Sequence, residues 1–369
     1  MGRLTALSLL RQGHKVSLFD KDSKDGTQSA AYAAAGLLTP LGESLHAERN
    51  IVEMGFASLK LWPELLATLE QYHYFQRDGS IIVSHEQDQG DYLRFLRHLR
   101  QHYPEHEAQQ LNRQQLMELE PELGRSFNQG LYLPEEGQIG NRKLLTALMW
   151  QLQHEGVDWF ENCLVDAIEN HEYGCQVRVK DKKWEFDLTI DCRGIGAKPS
   201  NQTTKAAPLN QLRGVRGELF QLFAPGVNLS RPIRLMHPRY QLYIAPKTKG
   251  FYVVGATEIE SDDLSPMTVR SALELLSAAY SVHPGFAEAN IRQHISQLRP
   301  AFHDNQPSIR VRQSLIQVNG LYRHGYLIAP AVLKQIDGAV GQFFTKSNLA
   351  ESEFHHLLPI HYFEHESRA

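Results

Sequence analysis

The chain has 369 residues, 42% of them hydrophobic and 22% charged, which is an ordinary composition for a soluble globular protein long enough for two domains. The net charge of −4 gives no reason to expect a nucleic acid or an anionic membrane as partner, and no apolar run approaches the roughly 20 residues of a membrane span. The three cysteines, Cys163, Cys175 and Cys192, have no metal-ligand spacing and form no even disulfide set. We therefore expect no metal site and a reducing, cytoplasmic location.

The first twenty residues have the pattern of the second half of a dinucleotide-binding βαβ unit. Apolar spacing over residues 4–10 predicts a helix, and residues 15–20 predict a strand that ends in an acid. Such a carboxylate accepts hydrogen bonds from an adenosine ribose, and Gly2 precedes Asp20 by 18 residues, as the third glycine of G-x-G-x-x-G does. The first strand and the first two glycines are missing, so we expect an N-terminally truncated domain and Met1 to be an internal methionine of a longer chain. The alternative is an ordinary surface helix.

The next part of the chain alternates helices and strands. Residues 22–45 are rich in Gly, Ala and Ser, which predicts either a loop that a flat ligand approaches closely or the start of an alanine-rich helix. Residues 51–72 predict an amphipathic helix in which Trp62-Pro63 starts a new helix, and residues 74–85 predict a hairpin. Further predicted elements are helices near 90–103 and 112–120, and a helix that opens from a turn within 137–145 and ends near Gly156. Strands are predicted at 158–160, 163–168, 176–179 and 184–190, and a glycine turn at 191–197.

The C-terminal half predicts an antiparallel sheet followed by a return to the nucleotide domain. The predicted elements there are strands within 215–260, a helix at 267–282, a strand near 291–299, glycine turns at 320 and 325, and a helix from Pro330 to about 344. The fold class is α/β, α+β overall, with a Rossmann-like domain interrupted by an antiparallel-sheet domain. We assign residues 1–80, 150–214 and 296–350 to the first domain, 81–149 and 215–295 to the second, and 351–369 to a solvated tail.

Three side chains stand out as candidates for binding a carboxylate. Arg299 follows a strand and precedes a proline, so its guanidinium can bind a small carboxylate bidentately. Arg323 lies between two glycines, and the strand alternation places Tyr243 where its hydroxyl can share the same carboxylate. For each there is a plainer interpretation, namely a solvated surface arginine or a half-buried sheet tyrosine.

Several stretches occur in an order that is specific to one enzyme family. They are residues 33–40 (AAAGLLTP), 137–145 (GQIGNRKLL), 213–218 (RGVRGE), 231–239 (RPIRLMHPR), 255–263 (GATEIESDD), the Arg299-Pro300 segment and residues 320–330. In this order, from Gly2 to about residue 345, the chain resembles the FAD-dependent D-amino acid oxidase superfamily, and within it the glycine oxidases of the ThiO type. The resemblance implies oxidative deamination of glycine to an imine, which gives glyoxylate and ammonia or supplies the thiazole of thiamine, while O₂ becomes H₂O₂.

The resemblance also implies roles for individual residues. Arg299 holds the substrate carboxylate, Tyr243 assists it and Arg323 also contacts the substrate. The implied cofactor contacts, together with Gly2 of the glycine motif, are Asp20, Lys21, Ala30, Ala31, Ala35, Gly36, Leu37, Val165, Leu321, Tyr322, Arg323, His324, Gly325, Tyr326 and Leu327. No cysteine follows Cys192, so the FAD is expected to be noncovalent, and relatives suggest a homotetramer.

Two alternatives stay open. The first is another flavin amine oxidase, acting on sarcosine, a D-amino acid, proline or a glycine adduct of modified tRNA. The second is a flavoprotein that does not turn over, or that only matures or binds a partner protein. The pair Arg299 and Arg323 argues against the second alternative, and the missing first strand argues for it.

Overall fold

The computed structural model describes residues 1–171, 173–198, 208–237, 242–345 and 353–363. The predictions for residues 199–207, 238–239, 346–352 and 364–369 lie outside these described residues. The described residues form eight α-helices, α1 (Gly2–Arg11), α2 (Pro40–Glu43), α3 (Arg49–Leu66), α4 (Gln89–His102), α5 (Arg113–Leu119), α6 (Asn141–His154), α7 (Val269–Val282) and α8 (Gly325–Thr345). None of these helices is both long enough and apolar enough to cross a membrane.

The strands predicted at 158–160 and near 291–299 are present, but the strand predicted at 163–168 begins only at Ala167, and those at 109–112 and 129–133 were not predicted. The described residues form 21 strands. They are β1 (Ser17–Phe19), β2 (Leu37–Leu38), β3 (Phe75–Gln76), β4 (Ser80–Ser84), β5 (Gln109–Asn112), β6 (Gln129–Leu133), β7 (Gly137–Ile139), β8 (Asp158–Phe160), β9 (Ala167–His171), β10 (Gly174–Val179), β11 (Lys182–Phe186), β12 (Thr189–Asp191), β13 (Arg213–Phe223), β14 (Ile233–Met236), β15 (Leu242–Pro246), β16 (Phe251–Gly255), β17 (Ile259–Glu260), β18 (Asn290–Ala301), β19 (Ser308–Arg312), β20 (Leu315–Asn319) and β21 (Ile360–Tyr362).

The largest sheet is antiparallel apart from one parallel pair. Its strands run in the order β17-β13-β16-β15-β14-β4-β6-β5, with β18 along the other side of β13, and β14 and β4 are parallel. The face that packs on α7 carries Leu242, Ile244, Tyr252 and Val254 in one hydrophobic core. This sheet confirms the predicted antiparallel part of the fold.

The nucleotide-type part consists of shorter sheets. Strand β1 pairs in parallel with β8, and β12 pairs in parallel with β20 in the order β12-β20-β19-β21. A three-stranded antiparallel sheet, β11-β10-β9, lies between them in the chain. Helices α1, α3 and α6 pack in a shared core, and α8 packs on β19 and β20. The mixed α/β class is thereby confirmed, while the exact domain boundaries stay predictions.

Two predictions about prolines are wrong. Helix α3 runs through Pro63 without a restart and ends at Leu66, and α8 begins at Gly325 and contains Pro330. A proline inside a helix leaves the carbonyl four residues earlier without its donor. For Pro330 that carbonyl belongs to Tyr326, and it accepts a bond from Trp62 Nε1 at 3.1 Å. A side chain of α3 therefore replaces the bond that the proline removes.

The predicted hairpin at 74–85 is also wrong. Strand β3 pairs with β7, whereas β4 pairs with β14 and β6, so the two strands belong to different sheets. All five residues of β4 are buried, as in a central strand covered on both faces. The burial of β4 therefore favours the large sheet over an isolated two-stranded hairpin.

Part of the predicted solvated tail is packed on the protein. Residues 360–362 form β21, which pairs in parallel with β19. Leu357 and Leu358 are buried in the core of α8, and the Leu358 carbonyl accepts a bond from Gln335 Nε2 at 2.9 Å. The segment 353–363 thus closes one edge of a sheet instead of lying in solvent.

Candidate active site

One cavity of about 2230 Å³ extends between the nucleotide-type sheets and the large sheet. All the residues that the sequence singled out line it, from Gly2, Asp20 and Val165 at one end to Tyr243, Arg299 and Arg323 at the other. This volume exceeds the range of about 300–1,000 Å³ that is usual for sites of small ligands. The cavity therefore suits one large elongated ligand together with a small one, while the role of each lining residue stays a prediction.

The nucleotide end of the cavity is formed by the carboxyl ends of short parallel strands. Asp20 follows β1, where its Oδ1 accepts a bond from the Asp22 amide at 3.0 Å, and burial raises the pKa of its carboxyl group. The Val165 carbonyl accepts a bond from Arg193 Nη1 at 3.4 Å. At Gly2 a methyl group would make only ordinary contacts, the nearest at 3.8 Å, so packing within the protein does not require glycine there.

Strands β1 and β12 face this end of the cavity with one edge each. Among the described residues, β1 pairs only with β8, and β12 pairs only with β20. Residues of both strands line the cavity, as do Met1 and Gly2 of α1. The expectation that a further strand belongs to this part of the sheet stays a prediction.

The small-residue segment after β1 is a series of turns and not a helix. Gly36 has a φ of +70°, and a methyl group there would lie 2.3 Å from the Ile139 carbonyl oxygen. The Ala31 carbonyl accepts bonds from Asn141 Nδ2 and Tyr326 Oη, each at 3.1 Å. Side chains from α6 and α8 therefore hold this loop against the cavity, as the close approach of a flat ligand requires.

Arg299 lies flat over the backbone of the neighbouring strand. A methyl group at Gly217 on β13 would come within 2.3 Å of Arg299 Cζ, so the guanidinium occupies space that only glycine leaves. Arg299 Nη1 donates to the Thr257 carbonyl at 3.1 Å and forms no ion pair among the described residues. Burial lowers the pKa of Arg299, because a buried guanidinium charge loses its solvation. An anionic ligand in the cavity offsets this cost of burying the charge.

Tyr243 reaches the same part of the cavity from β15. Its hydroxyl lies over Gly255 on β16, where a methyl group would be 2.7 Å from the oxygen. Burial raises the pKa of Tyr243, although the charge of Arg299 acts to lower it. The hydroxyl therefore keeps its proton and can donate it in a hydrogen bond. Two glycines on adjacent strands thus make room for one guanidinium and one hydroxyl.

Arg323, in contrast, is held by two carboxylates. Its Nε lies 2.8 Å from Glu43 Oε2, and its Nη1 lies 2.8 Å from Glu258 Oε2. Arg234 pairs with the other oxygen of Glu43, while Tyr322 Oη donates to Glu258 Oε1 at 2.6 Å. The charge of Arg323 is therefore balanced within the protein before any ligand binds.

Burial and charge act against each other at these acids. Burial alone would raise the pKa of Glu43, but the charges of Arg323 and Arg234 outweigh it and hold that pKa well below its usual value. Glu136 accepts bonds from Ser80 Oγ and the Gly42 amide, yet burial raises its pKa to about 7. Burial also lowers the pKa of His324 to about 4, so this imidazole is neutral at neutral pH.

The loop before α8 connects Arg299 to Arg323. The Tyr322 amide donates to the Pro300 carbonyl at 3.0 Å, and Tyr322 has a φ of +49°, a conformation that non-glycine residues rarely adopt. Such strain persists only where the surrounding structure fixes it, and it occurs often at functional sites. Helix α8 begins three residues later, with its N-terminus on the cavity wall.

The sequence did not predict the four charged groups, three of them buried, that support these residues. They are Glu43, Glu136, Arg234 and Glu258. Glu258 lies in the stretch 255–263 that carries the resemblance, and Arg234 lies in the stretch 231–239. For these two residues the available signal was their position inside motifs, whereas Glu43 and Glu136 lie outside the motifs. The pairing depends on tertiary contacts between α2, the residue before β7, β14 and the 256–258 turn.

Comparison with known proteins identifies the family. The FAD dependent oxidoreductase family, DAO, matches residues 1–335. The thiamine biosynthesis oxidoreductase ThiO of Rhizobium etli is 33% identical over 335 residues, which are 91% of this chain and 92% of that protein. The structure of glycine oxidase from Bacillus cereus ATCC 14579 superposes with a TM-score of 0.79 at 22% identity, over 96% of this chain and 94% of that one. Iminodiacetate oxidase from Chelativorans sp. BNC1 gives a TM-score of 0.74 at 22% identity, over 92% of each chain.

The fold and the cavity define a flavin-type oxidoreductase, and the match over residues 1–335 is decisive: the chain belongs to the family of FAD-dependent oxidoreductases. The residues present fit that cofactor. The cavity is large enough for it, and Asp20, which follows the parallel strand β1, lines the end where a ribose would lie. The residues that would hold it line the cavity at Asp20, Ala31, Gly36 and the start of α8.

Proposed function

We propose that the protein is an FAD-dependent amino acid oxidase that deaminates glycine and similar small amines. The observation that carries this proposal is Arg299, a guanidinium with no ion pair among the described residues, next to the Tyr243 hydroxyl in the family's cofactor cavity. A small carboxylate fits between them because a guanidinium and a phenol donate to its two oxygens. The similarity to ThiO of Rhizobium etli and to glycine oxidase supports glycine as the substrate.

The protein residues act mainly by positioning. Arg299 and Tyr243 fix the carboxylate, so the amine-bearing carbon is held in one orientation, and orientation of this kind is a large part of catalysis. Bound, noncovalent FAD supplies the redox chemistry, in which the amine is oxidised by two electrons to an imine and O₂ is reduced to H₂O₂. The N-terminus of α8 lies on the cavity wall, where its dipole favours negative charge. Arg323 lines the site, and we assign the anchoring of the carboxylate to Arg299.

We further propose that the imine serves the synthesis of the thiamine thiazole in the cytoplasm, and that the protein is a homotetramer. The similarity to a thiamine biosynthesis oxidoreductase supports the first part. Resemblance to relatives supports the assembly, which light scattering of the purified holoprotein measures directly.

The test of the main proposal is the visible spectrum of the purified protein, recorded without oxygen before and after glycine is added. The expected result is a yellow protein whose absorbance near the flavin band bleaches with glycine. Bleaching with sarcosine, proline or a D-amino acid but not with glycine moves the assignment to a related amine oxidase. A flavin that no amine reduces overturns the proposal in favour of a flavoprotein that does not turn over.

A further inference from the structure

The four charged groups around the substrate end of the cavity are not equivalent. Glu43 and Glu258 flank Arg323 at 2.8 Å each, whereas Arg299 has carbonyl partners, with Thr257 at 3.1 Å. Arg234 also pairs with Glu43, so of these three guanidinium groups Arg299 is the one without a carboxylate partner among the described residues. A negative charge is therefore missing at Arg299.

Glu258 is the carboxylate of this set that is exposed to the cavity. Its side chain is 49% exposed, compared with 11% for Glu43, and it lines the cavity beside Arg299, Tyr243 and Arg323. Glu258 directly follows Thr257, whose carbonyl holds Arg299. Arg323 lowers the pKa of Glu258 against the effect of burial, so Glu258 carries a negative charge at neutral pH.

We propose that Glu258 is a specificity-determining residue that restricts the site to amines with a single carboxylate. This inference rests on the proposed function. A carboxylate bound at Arg299 completes the charge balance of the site. A second carboxylate on the same ligand meets Glu258 and finds Arg323 already paired, and juxtaposed like charges in a partly buried site weaken binding. The class of substrate is thus a small zwitterionic amino acid, with its amine free to approach the negative wall at Glu258.

The variant that tests this is Glu258→Gln, which removes the charge and keeps the size of the side chain and one of its two oxygen acceptors. Its matched control is Glu260→Gln, because Glu260 is 66% exposed, pairs with Arg213 and lies outside the cavity. Both variants change the net charge equally. Glu258→Asp is the conservative variant and keeps the charge.

The first measurement is the dissociation constant of acetate and of malonate from the oxidised holoprotein. Each ligand is titrated into the protein, and its binding is monitored by the shift of the flavin spectrum. The wild-type protein is expected to bind malonate at least 10-fold more weakly than acetate. In Glu258→Gln the ratio of the two dissociation constants falls about 10-fold, while Glu258→Asp and Glu260→Gln keep the wild-type ratio. A wild-type protein that binds malonate as tightly as acetate overturns the proposal, even if Glu258→Gln does not fold.

The second measurement is the kcat/KM for glycine and for iminodiacetate, which carries two carboxylates. Glu258→Gln is expected to raise the ratio for iminodiacetate over glycine about 10-fold, and an unchanged ratio contradicts the role of Glu258. If the wild-type flavin is reduced by no amine, the proposed function fails. If the wild-type flavin is reduced by glycine, but the ratio of kcat/KM for iminodiacetate over glycine is the same in Glu258→Gln and Glu260→Gln, only this inference fails.

Discussion

The two ends of the cavity are stabilised in different ways. The substrate end lies on β13 and β18, strands of 11 and 12 residues in the nine-stranded sheet, and ion pairs hold Arg323 and Arg234 in place. The nucleotide end lies on β1 and β12, strands of three residues each, whose facing edges are unpaired among the described residues. Few buried contacts and short ladders are typical of regions with low local stability.

This difference indicates which interactions each ligand must supply. At the substrate end the protein itself balances all charges except that of Arg299, so a small carboxylate enters a preformed site. At the nucleotide end the expected further strand would pair with the exposed strand edges, and the ligand has to provide partners for the Asp20 carboxyl group. We therefore expect variants at the substrate end to change turnover or folding, and variants at the nucleotide end to change cofactor affinity.

The largest effect is expected for Arg299→Ala. Loss of a partner from a buried charge pair costs about 3–5 kcal/mol, so kcat/KM for the best amine substrate should fall about 10³-fold. The bound FAD, measured by absorbance, should be unchanged, because Arg299 belongs to the substrate end. The control is Arg292→Ala, an exposed arginine on the same strand. A loss below 10-fold would show that Arg299 does not anchor the carboxylate.

The next largest effect is expected for Glu43→Gln, on stability. Glu43 is shared by Arg234 and Arg323, and its replacement leaves two largely buried guanidinium groups without their common carboxylate. We expect a loss of about 3 kcal/mol, seen as a melting temperature about 5 °C lower. The surface variant Glu105→Gln removes a pair at 3.3 Å with Arg49, and it should change the melting temperature little. Equal shifts in the two variants would contradict the importance of the buried network.

Glu136 makes the stability of the buried charged groups depend on pH. Its pKa is about 7 in the folded protein instead of 4.5, so between these values the unfolded chain releases a proton that the folded protein keeps. Stability from this group is thus fully present below about pH 4.5 and is lost as the pH rises through 7. Glu136→Gln stays neutral, and its stability relative to wild type should increase by about 2 kcal/mol from pH 5 to pH 8.

Melting temperatures of the two proteins over this pH range measure the difference. Glu118→Gln, at an exposed glutamate, is the control and should run parallel to the wild type. A pH-independent difference for Glu136→Gln would mean that Glu136 is ionised in the folded protein at pH 5.

The sequence predicted the elements that depend on local pattern. Helices α1, α4 and α7 and strands β8 and β18 follow from apolar periodicity, and the placement of Tyr243 on the face opposite Leu242 follows from strand alternation. The errors at Pro63 and Pro330 arose because each proline lies inside a helix instead of starting one. At Pro330 a distant contact, the Trp62 side chain, replaces the bond that the proline removes. No local signal contains that contact.

The same limit applies to the candidate site. The sequence singled out Arg299, before a proline, and Arg323, between Gly320 and Gly325, as candidates for binding a carboxylate, and only the resemblance gave the anchoring role to Arg299. The structure separates them by partners that are distant in the chain, Glu43 lying 280 residues before Arg323 and Glu258 lying 65 residues before it. Residue types near a motif are visible in a sequence, whereas the charge balance of a site is a property of the folded protein.

The smallest expected effect tests the nucleotide end. Asp20→Asn keeps an acceptor for the Asp22 amide and removes the carboxylate that we assign to the ribose, so FAD affinity should fall about 10-fold. Fluorescence titration of the apoprotein with FAD measures this change, and Asp25→Asn, at an exposed aspartate, is the control. Arg299→Ala should leave the FAD affinity at the wild-type value. If Arg299→Ala weakens FAD as much as Asp20→Asn does, the two ends are coupled, and the contrast between a preformed and a ligand-dependent end is wrong.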